Sequence, residues 1–280
     1  MNVSPDRPSR FASNEALNRA LSTRLRPGQA SAWTASLAFA WRGVLKIKHI
    51  PEQLIDVTMT PILFTLMFTY LFGGALAGSP TEYLQFLLPG ILVMTVLFST
   101  VYSGVTINTD VTKGVSDRFR SLPVWSSAPL VGSVLADSVR YLMAALVGLS
   151  FGMLLGFRPE GGVIGVVAGL SLLLVFAFSL SWVFTTMGLW MKTPNAVMNL
   201  GFMAMFPLTF MSNVFVEPET MPGWLEWWVN VNPVSSLATA MRAFMHGTFN
   251  LGQVITVLLA SAAFTGVFAP LTLYLYRNKV

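Results

Sequence analysis

Of the 280 residues, 54% are hydrophobic and only 10% are charged, against roughly 25% charged in soluble chains, which excludes a ball covered by water and points to a polytopic membrane protein. The formal net charge is +5, but the basic residues sit at the ends of apolar runs instead of being interleaved with aromatics on a soluble domain. They therefore read as topology signals and not as a nucleic-acid patch, and the lack of any cysteine removes disulfides, zinc–thiolate sites and thiol nucleophiles together.

From Met1 to Ala30 the sequence is polar, carries Pro5, Pro8 and Pro27, and has no apolar periodicity, so residues 1–30 are expected to form a mobile cytoplasmic tail. Between Ser31 and Ile50 a helical pattern begins: Trp33, Leu37, Trp41, Val44 and Leu45 make one stripe, with Arg42 and Lys46 on another face. Aromatics on one side and cations on the other predict an interfacial helix lying along the membrane over 31–50. The alternative is a helix packed on a soluble domain, but no such domain follows.

The transmembrane region, 51–280, holds six candidate spans at 54–74, 83–107, 128–156, 163–191, 196–215 and 254–276. The third is longer than a hydrocarbon core requires, so its first turns should project into the cytoplasm and keep Asp137 and Arg140, an i, i+3 pair, in water. Pro207 should kink the fifth. With both termini inside, fifteen of the seventeen Lys and Arg fall on the cytoplasmic side, leaving only Arg158 and Arg242 outside.

Two interruptions stand out. The polar loop 108–126 contains Asp110-Val-Thr-Lys113-Gly114-Val-Ser-Asp117-Arg118-Phe119-Arg120-Ser-Leu122-Pro123. Lys113 and Asp117 fall four apart, Val115, Phe119 and Leu122 make a narrow stripe, and Pro123 stops the ladder, which predicts a helix of one or two turns. Such a stripe is too small for a core but can dock in a partner's groove; a solvated loop between spans is the alternative. The segment 216–250 is too broken for a span and too apolar for a plain loop. It carries Trp224, Trp227 and Trp228, then Asn232-Pro233 opening a second helical stretch to His246. It reads either as paired short helices covered by protein or as a surface loop anchored by tryptophans.

The run Lys113-Gly114, Asp117 to Pro123, then Leu135-Ala136-Asp137 and Arg140 resembles the cytoplasmic loop of the daunorubicin-resistance branch of ABC exporter permeases of the type-2 integral-membrane family. Pro218, Pro222, Trp224, Asn232, Pro233, Arg242 and Gly247 resemble a second segment of the same family, an external re-entrant hairpin roofing the translocation path. The two motifs and six spans extend the resemblance over nearly the whole chain from Ser31. It implies an all-α polytopic membrane protein with six transmembrane helices, an N-terminal interfacial helix and an external re-entrant helical hairpin. It also implies that Asp110, Lys113, Gly114, Asp117, Arg118, Phe119, Arg120, Leu122 and Pro123 form the coupling helix touching a separate nucleotide-binding subunit, which would carry ATP and Mg; none in this chain is expected. The partners implied are that ATPase, a second permease copy or a homologous permease, and membrane lipid. The location implied is the bacterial cytoplasmic membrane.

The residues themselves agree that energy must arrive from outside. No GxxxxGK[ST] phosphate loop occurs in the sequence, and His49 and His246 are predicted on opposite sides. Asp56, Glu82 and Asp137 lie at span edges, whereas an ion-coupled transporter keeps a carboxylate inside the bilayer. Together with the resemblance, which implies an amphiphilic drug or lipid-like metabolite as cargo, this makes the chain the expected permease of an exporter, not an enzyme by itself. A path between the first, second and fifth spans would be lined by Met59, Phe64, Met67, Phe98, Tyr102, Phe202, Met203, Phe206, Phe210 and Met211, because methionine and aromatic side chains repack around varied cargo. Export of a lipid-linked glycan or polymer, or a scaffold that does not transport, are the alternatives.

Overall fold

The computed structural model describes residues 31–49, 51–115, 125, 127–249 and 251–279. The expected tail 1–30 and the coupling positions Asp117, Arg118, Phe119, Arg120, Leu122 and Pro123 lie outside the described residues. Nine α-helices and one short 3-10 turn make up the regular structure described, with no strand among these residues. The all-α class follows from long apolar runs whose backbone can satisfy itself only within each segment.

Helix α1 (Ala32–His49) packs along α4 (Ala128–Leu154). Its small residues make the contact: Ala35 and Ser36 are buried, and Gly132 of α4 lies against Phe39 and Ser36. Trp33 and Trp41 are left 64% and 66% exposed, so the aromatic stripe points away from the bundle. Helix α2 (Pro51–Ala77) leads to Gly78 at φ 74, and Ser79 then caps α3 (Pro80–Thr112) by accepting from the Glu82 amide.

Helix α3 is the axis of the fold, packing against α2, α4, α5 (Gly162–Trp190), α6 (Pro194–Phe210) and α8 (Pro233–Met245). It is apolar on all sides, with Leu84, Leu87, Leu88, Ile91 and Leu92 fully buried, the pattern of a helix surrounded by other helices. The helix that carries the second expected span, 83–107, extends beyond it: α3 runs through Asp110 to Thr112, 33 residues. Nothing from Ile107 onward breaks the ladder before Gly114, and Thr109 and Thr112 donate their hydroxyls back to the carbonyls of Val105 and Asn108 at 2.7 and 2.9 Å. The stop comes at Gly114, whose φ of 65 suits a residue without Cβ.

Helix α3 crosses α5 at backbone contact: a Cβ on Gly104 would fall on the carbonyl oxygen of Phe184, and one on Gly188 would fall on that of Gly104. Asn108, one turn below, donates to the carbonyls of Gly188 and Met191 at 2.8 and 2.7 Å. Thr193 then caps α6, with Pro194 in its first turn.

Among the described residues five helices are long and apolar enough to cross a membrane: α2, α3, α4, α5 and α9 (Leu251–Lys279). The expected span 196–215 is instead the 17-residue α6 followed by an unwound segment from Met211. Seventeen residues rise only about 25 Å, less than the ~30 Å of a hydrocarbon core. The helix ends where the Met211 amide returns to Pro207 and Ser212 bonds Thr209 and Val214 locally. A 3-10 turn (Pro218–Thr220), α7 (Gly223–Val231) and α8 follow.

Candidate functional site

A cavity of about 310 Å³ opens where α2, α3, α4 and α6 meet. Thr60, Pro61 and Phe64 come from α2, Thr95, Phe98, Ser99 and Tyr102 from α3, Ala144 from α4, and Phe202 and Phe206 from α6. Its walls are aromatic: Phe98 lies 5.7 Å from Phe202 and edge-on to Phe206 at 5.4 Å, while Tyr102 meets Phe202 at 6.2 Å. The rings continue as a ladder, Phe206 on Phe210 at 5.4 Å, Phe210 on Phe215 at 5.2 Å, Phe215 on Phe68 at 4.4 Å and Phe68 on Phe64 at 5.9 Å. Two runs at i, i+4, i+8 build it: Phe64, Phe68 and Phe72 on α2, and Phe202, Phe206 and Phe210 on α6. Rows at this spacing share one helix face.

Of the ten path residues expected from sequence, Phe64, Phe98, Tyr102, Phe202 and Phe206 line this cavity. Phe210 stands in the ladder beyond it, and half-buried Met211 caps α6. Met59, Met67 and Met203 point outward, 47%, 44% and 73% exposed. Phe68 and Phe215 were missed, although the four-residue spacing of Phe68 from Phe64 was a signal that could have found it.

Behind Ser99 and Tyr102 sits an ion pair, Arg140 to Asp137 at 3.0 Å. The expectation that these two stay in water is corrected: Asp137 and Arg140 are 6% and 4% exposed. Helix α1 covers α4 on one side and α3 covers it on the other, so the first turns of α4 do not project free. Arg140 also donates to the Ser99 carbonyl at 3.1 Å and lies 5.7 Å from the centroids of both Tyr102 and Tyr141. Tyr141 and Ser103 share a hydrogen bond of 2.6 Å. A charged pair is therefore held inside the bundle, where its partners offset the cost of desolvation.

At the other end of α3, α8 inserts against α3, α5 and α9. Asn232 is buried and does three things: its Oδ1 accepts from the Val234 amide at 2.9 Å, and its Nδ2 donates to the carbonyls of Leu208 and Met211 at 2.7 and 3.3 Å. Pro233 occupies the first turn it caps. Arg242 stacks at 3.8 Å on Phe86, donates Nε to the Phe86 carbonyl at 2.9 Å and Nη2 to those of Asn213 and Val214 at 2.7 and 2.9 Å. Burial pushes its guanidinium down to about 9, opposed by Glu217 and then Tyr83, so it stays charged at neutral pH. Gly247 closes α8 at φ 74, while Pro222 and Trp224 are exposed at the start of α7. Asn232→Ala removes a cap and two carbonyl partners, and is expected to destabilise the fold by about 1–3 kcal/mol, read as a lowered denaturation midpoint in detergent.

The family model of the ABC-2 type transporters matches residues 34–246. The chain belongs to the ABC-2 type transporter family. It is 51% identical over 263 residues to the daunorubicin resistance ABC transporter permease protein DrrB1 of Streptomyces coeruleorubidus, covering 94% of this chain and 93% of that one. It is 26% identical over 216 residues to the probable doxorubicin resistance ABC transporter permease protein DrrC of Mycobacterium tuberculosis, over 77% of this chain and 78% of the other. The O-antigen export system permease protein RfbA of Klebsiella pneumoniae is 24% identical over 234 residues, 80% of this chain and 83% of its own.

Within this ABC-2 permease, the matched region begins in α1 and ends just after α8, so it takes in the cavity, the ion pair and the Asn232–Arg242 end. The described coupling positions lie at the far end of α3: Asp110 is half-buried in the helix, Lys113 is exposed at its cap and Gly114 turns the chain. Side-chain groups suited to a metal, three or more of His, Asp and Glu together, do not occur among the described residues.

Proposed function

We propose that this integral membrane permease moves an amphiphilic drug or lipid-like metabolite out of the cell, with ATP and Mg bound and hydrolysed on a separate ABC ATPase subunit. The single observation that supports this reading best is the aromatic cavity and its ladder between α2, α3 and α6. An uncharged wall of stacked and edge-on rings suits a flat amphiphile, whose ring faces gain about 0.5–1.5 kcal/mol per aromatic pair beyond area burial. Two relatives named for daunorubicin or doxorubicin resistance support this reading.

In this reading α6 and the unwound segment after it together act as a sixth span, and α7 with α8 forms an external re-entrant hairpin. Both termini then face the cytoplasm of the bacterial inner membrane. A second permease, a copy or a homologue, completes the path. ATP-driven closure of the ATPases pushes on the coupling segment from Asp110 to Pro123 and on α1, and α3 carries that push to the cavity, because one continuous helix joins Asp110 to Phe98. This is a two-state element biased at one end.

The test is ATP-dependent daunorubicin uptake into inverted vesicles carrying the permease with its ATPase. Phe98→Ala/Phe202→Ala is expected to lower uptake about tenfold or more while ATPase association persists, each lost ring contact adding to the deficit. Asp117→Lys/Arg118→Asp is expected to abolish uptake and weaken ATPase pull-down. Uptake unchanged in the first variant removes the cavity from the path; pull-down and uptake unchanged in the second remove the coupling role. Stimulation by a polysaccharide precursor and not by drug would favour the glycan reading.

A further inference from the structure

One ring bridges the aromatic ladder. Phe64, Phe68 and Phe72 stack along α2, and Phe206 stacks on Phe210 along α6. Phe215 joins the two rows, 4.4 Å from Phe68 and 5.2 Å from Phe210. Phe68 and Phe210 each follow a cavity residue, Phe64 and Phe206, by four positions, one helical turn toward the end of the bundle that carries Asn232 and Arg242. The three rings therefore cover the cavity at that end, and Phe215 itself is buried.

Phe215 belongs to no helix. It sits on the unwound segment after α6, where carbonyls lack the amides that a continuing helix would supply and need other donors among apolar neighbours. Side chains provide them. Arg242 Nη2 donates to the carbonyls of Asn213 and Val214 at 2.7 and 2.9 Å, and the Tyr83 hydroxyl donates to that of Phe215 at 3.0 Å. Arg242 is fixed in turn through Nε to the Phe86 carbonyl at 2.9 Å. Helix α3 makes room at Gly90, where a Cβ would fall 2.8 Å from the Val214 carbonyl oxygen. The backbone that carries Phe215 is thus pinned to α3 and α8 by three side-chain bonds, and it can be released by parting them without melting a helix.

We propose that Phe215 closes the cargo path at the end of the bundle that carries α7 and α8, and that Arg242 and Tyr83 are the positioning residues that hold it there. This rests on the aromatic cavity being part of that path and on the hairpin end facing outside. With the bonds made, Phe215 keeps the α2 and α6 rows in contact; with them parted, the rows lose their bridge and the cavity joins the outer face. An arginine suits the task because its fork reaches two neighbouring carbonyls at once while Nε holds a third.

The chain has no cysteine, so a single introduced thiol reports access. Phe98→Cys places one on the cavity wall of the full-length permease, produced with its ATPase in cells that are then depleted of ATP and treated from outside with a membrane-impermeant methanethiosulfonate. Labelling is expected to be slow with Phe215 in place. Phe215→Ala should raise the rate at least about tenfold, since two ring contacts are lost together, and Phe215→Trp should keep it slow. Tyr83→Phe removes one hydroxyl and leaves the ring, for a rise of about threefold; Arg242→Ala should give a larger rise that Arg242→Lys reverses in part. A purely structural loss would lower the amount of inserted protein and leave the rate per inserted molecule unchanged. Fast labelling with Phe215 in place, or no rise in Phe215→Ala, overturns the closure; no rise in Tyr83→Phe and Arg242→Ala overturns the positioning. Inverted vesicles present the other face to the same reagent. Labelling there but never from outside sinks the gate alone, whereas no labelling from either face in any variant removes the cavity from the path and the gate with it.

Discussion

Arg140→Ala is expected to destabilise the folded permease by about 3–5 kcal/mol, because it strands a carboxylate inside the bundle. Asp137 is 6% exposed and Arg140 closes on it at 3.0 Å. The pair lies about 14–18 Å along α4 from Ala128 at 1.5 Å per residue, under α1 and against α3, where water cannot replace the lost partner. The substitution also frees the Ser99 carbonyl and removes the cation beside Tyr102, so the cavity wall loses its backing. Asp137→Leu/Arg140→Met replaces both charges by apolar groups and should recover most of the stability, since a buried pair is often no better than well-packed hydrophobes. Denaturation midpoints of purified variants in detergent check this. An alanine variant as stable as the wild type would mean that the pair is solvated in the native protein.

Gly104→Leu is expected to prevent assembly of the bundle. Even a Cβ at Gly104 meets the Phe184 carbonyl oxygen, and its own carbonyl in turn meets Gly188, so the two backbones must separate. Separation breaks the Asn108 bonds to Gly188 and Met191 one turn away and opens the seam between α3 and α5. Gly104→Ala asks for a smaller shift, about 1–3 kcal/mol by the measure of overpacked cores. Gly74 in α2 has open space around its Cβ position, so Gly74→Leu serves as the control. Size-exclusion profiles should show no monodisperse Gly104→Leu protein, a lowered midpoint for Gly104→Ala and a normal profile for Gly74→Leu. Normal behaviour of Gly104→Leu would mean that α3 and α5 do not touch there.

Periodicity made α1, the long helices and the Asn232-Pro233 start of α8 legible, since apolar spacing, capping residues and proline positions are local features. Register along one helix was also legible: Phe202, Phe206 and Phe210 had to share a face. Depth and cover were not. Asp137 and Arg140 look like a solvated i, i+3 pair until α1 is laid over α4, and α1 can approach only because Gly132, Ser36 and Ala35 leave room. The same limit hid that Met59, Met67 and Met203, whose residue type suits a cargo path, turn away from the aromatic cavity. It also hid Phe215, which joins the ladder only because the chain after α6 unwinds and brings it beside Phe68.

By itself the amino-acid order determined that this chain is a helical membrane protein with no phosphate-loop motif, because apolar run length, basic flanks and short motifs are properties of the chain taken one stretch at a time. Only the tertiary structure decided which aromatics enclose a cavity and that a charge pair is sealed behind it. Those facts depend on which helix faces meet, and helix faces meet through small residues tens of positions apart, whose consequence no local pattern expresses.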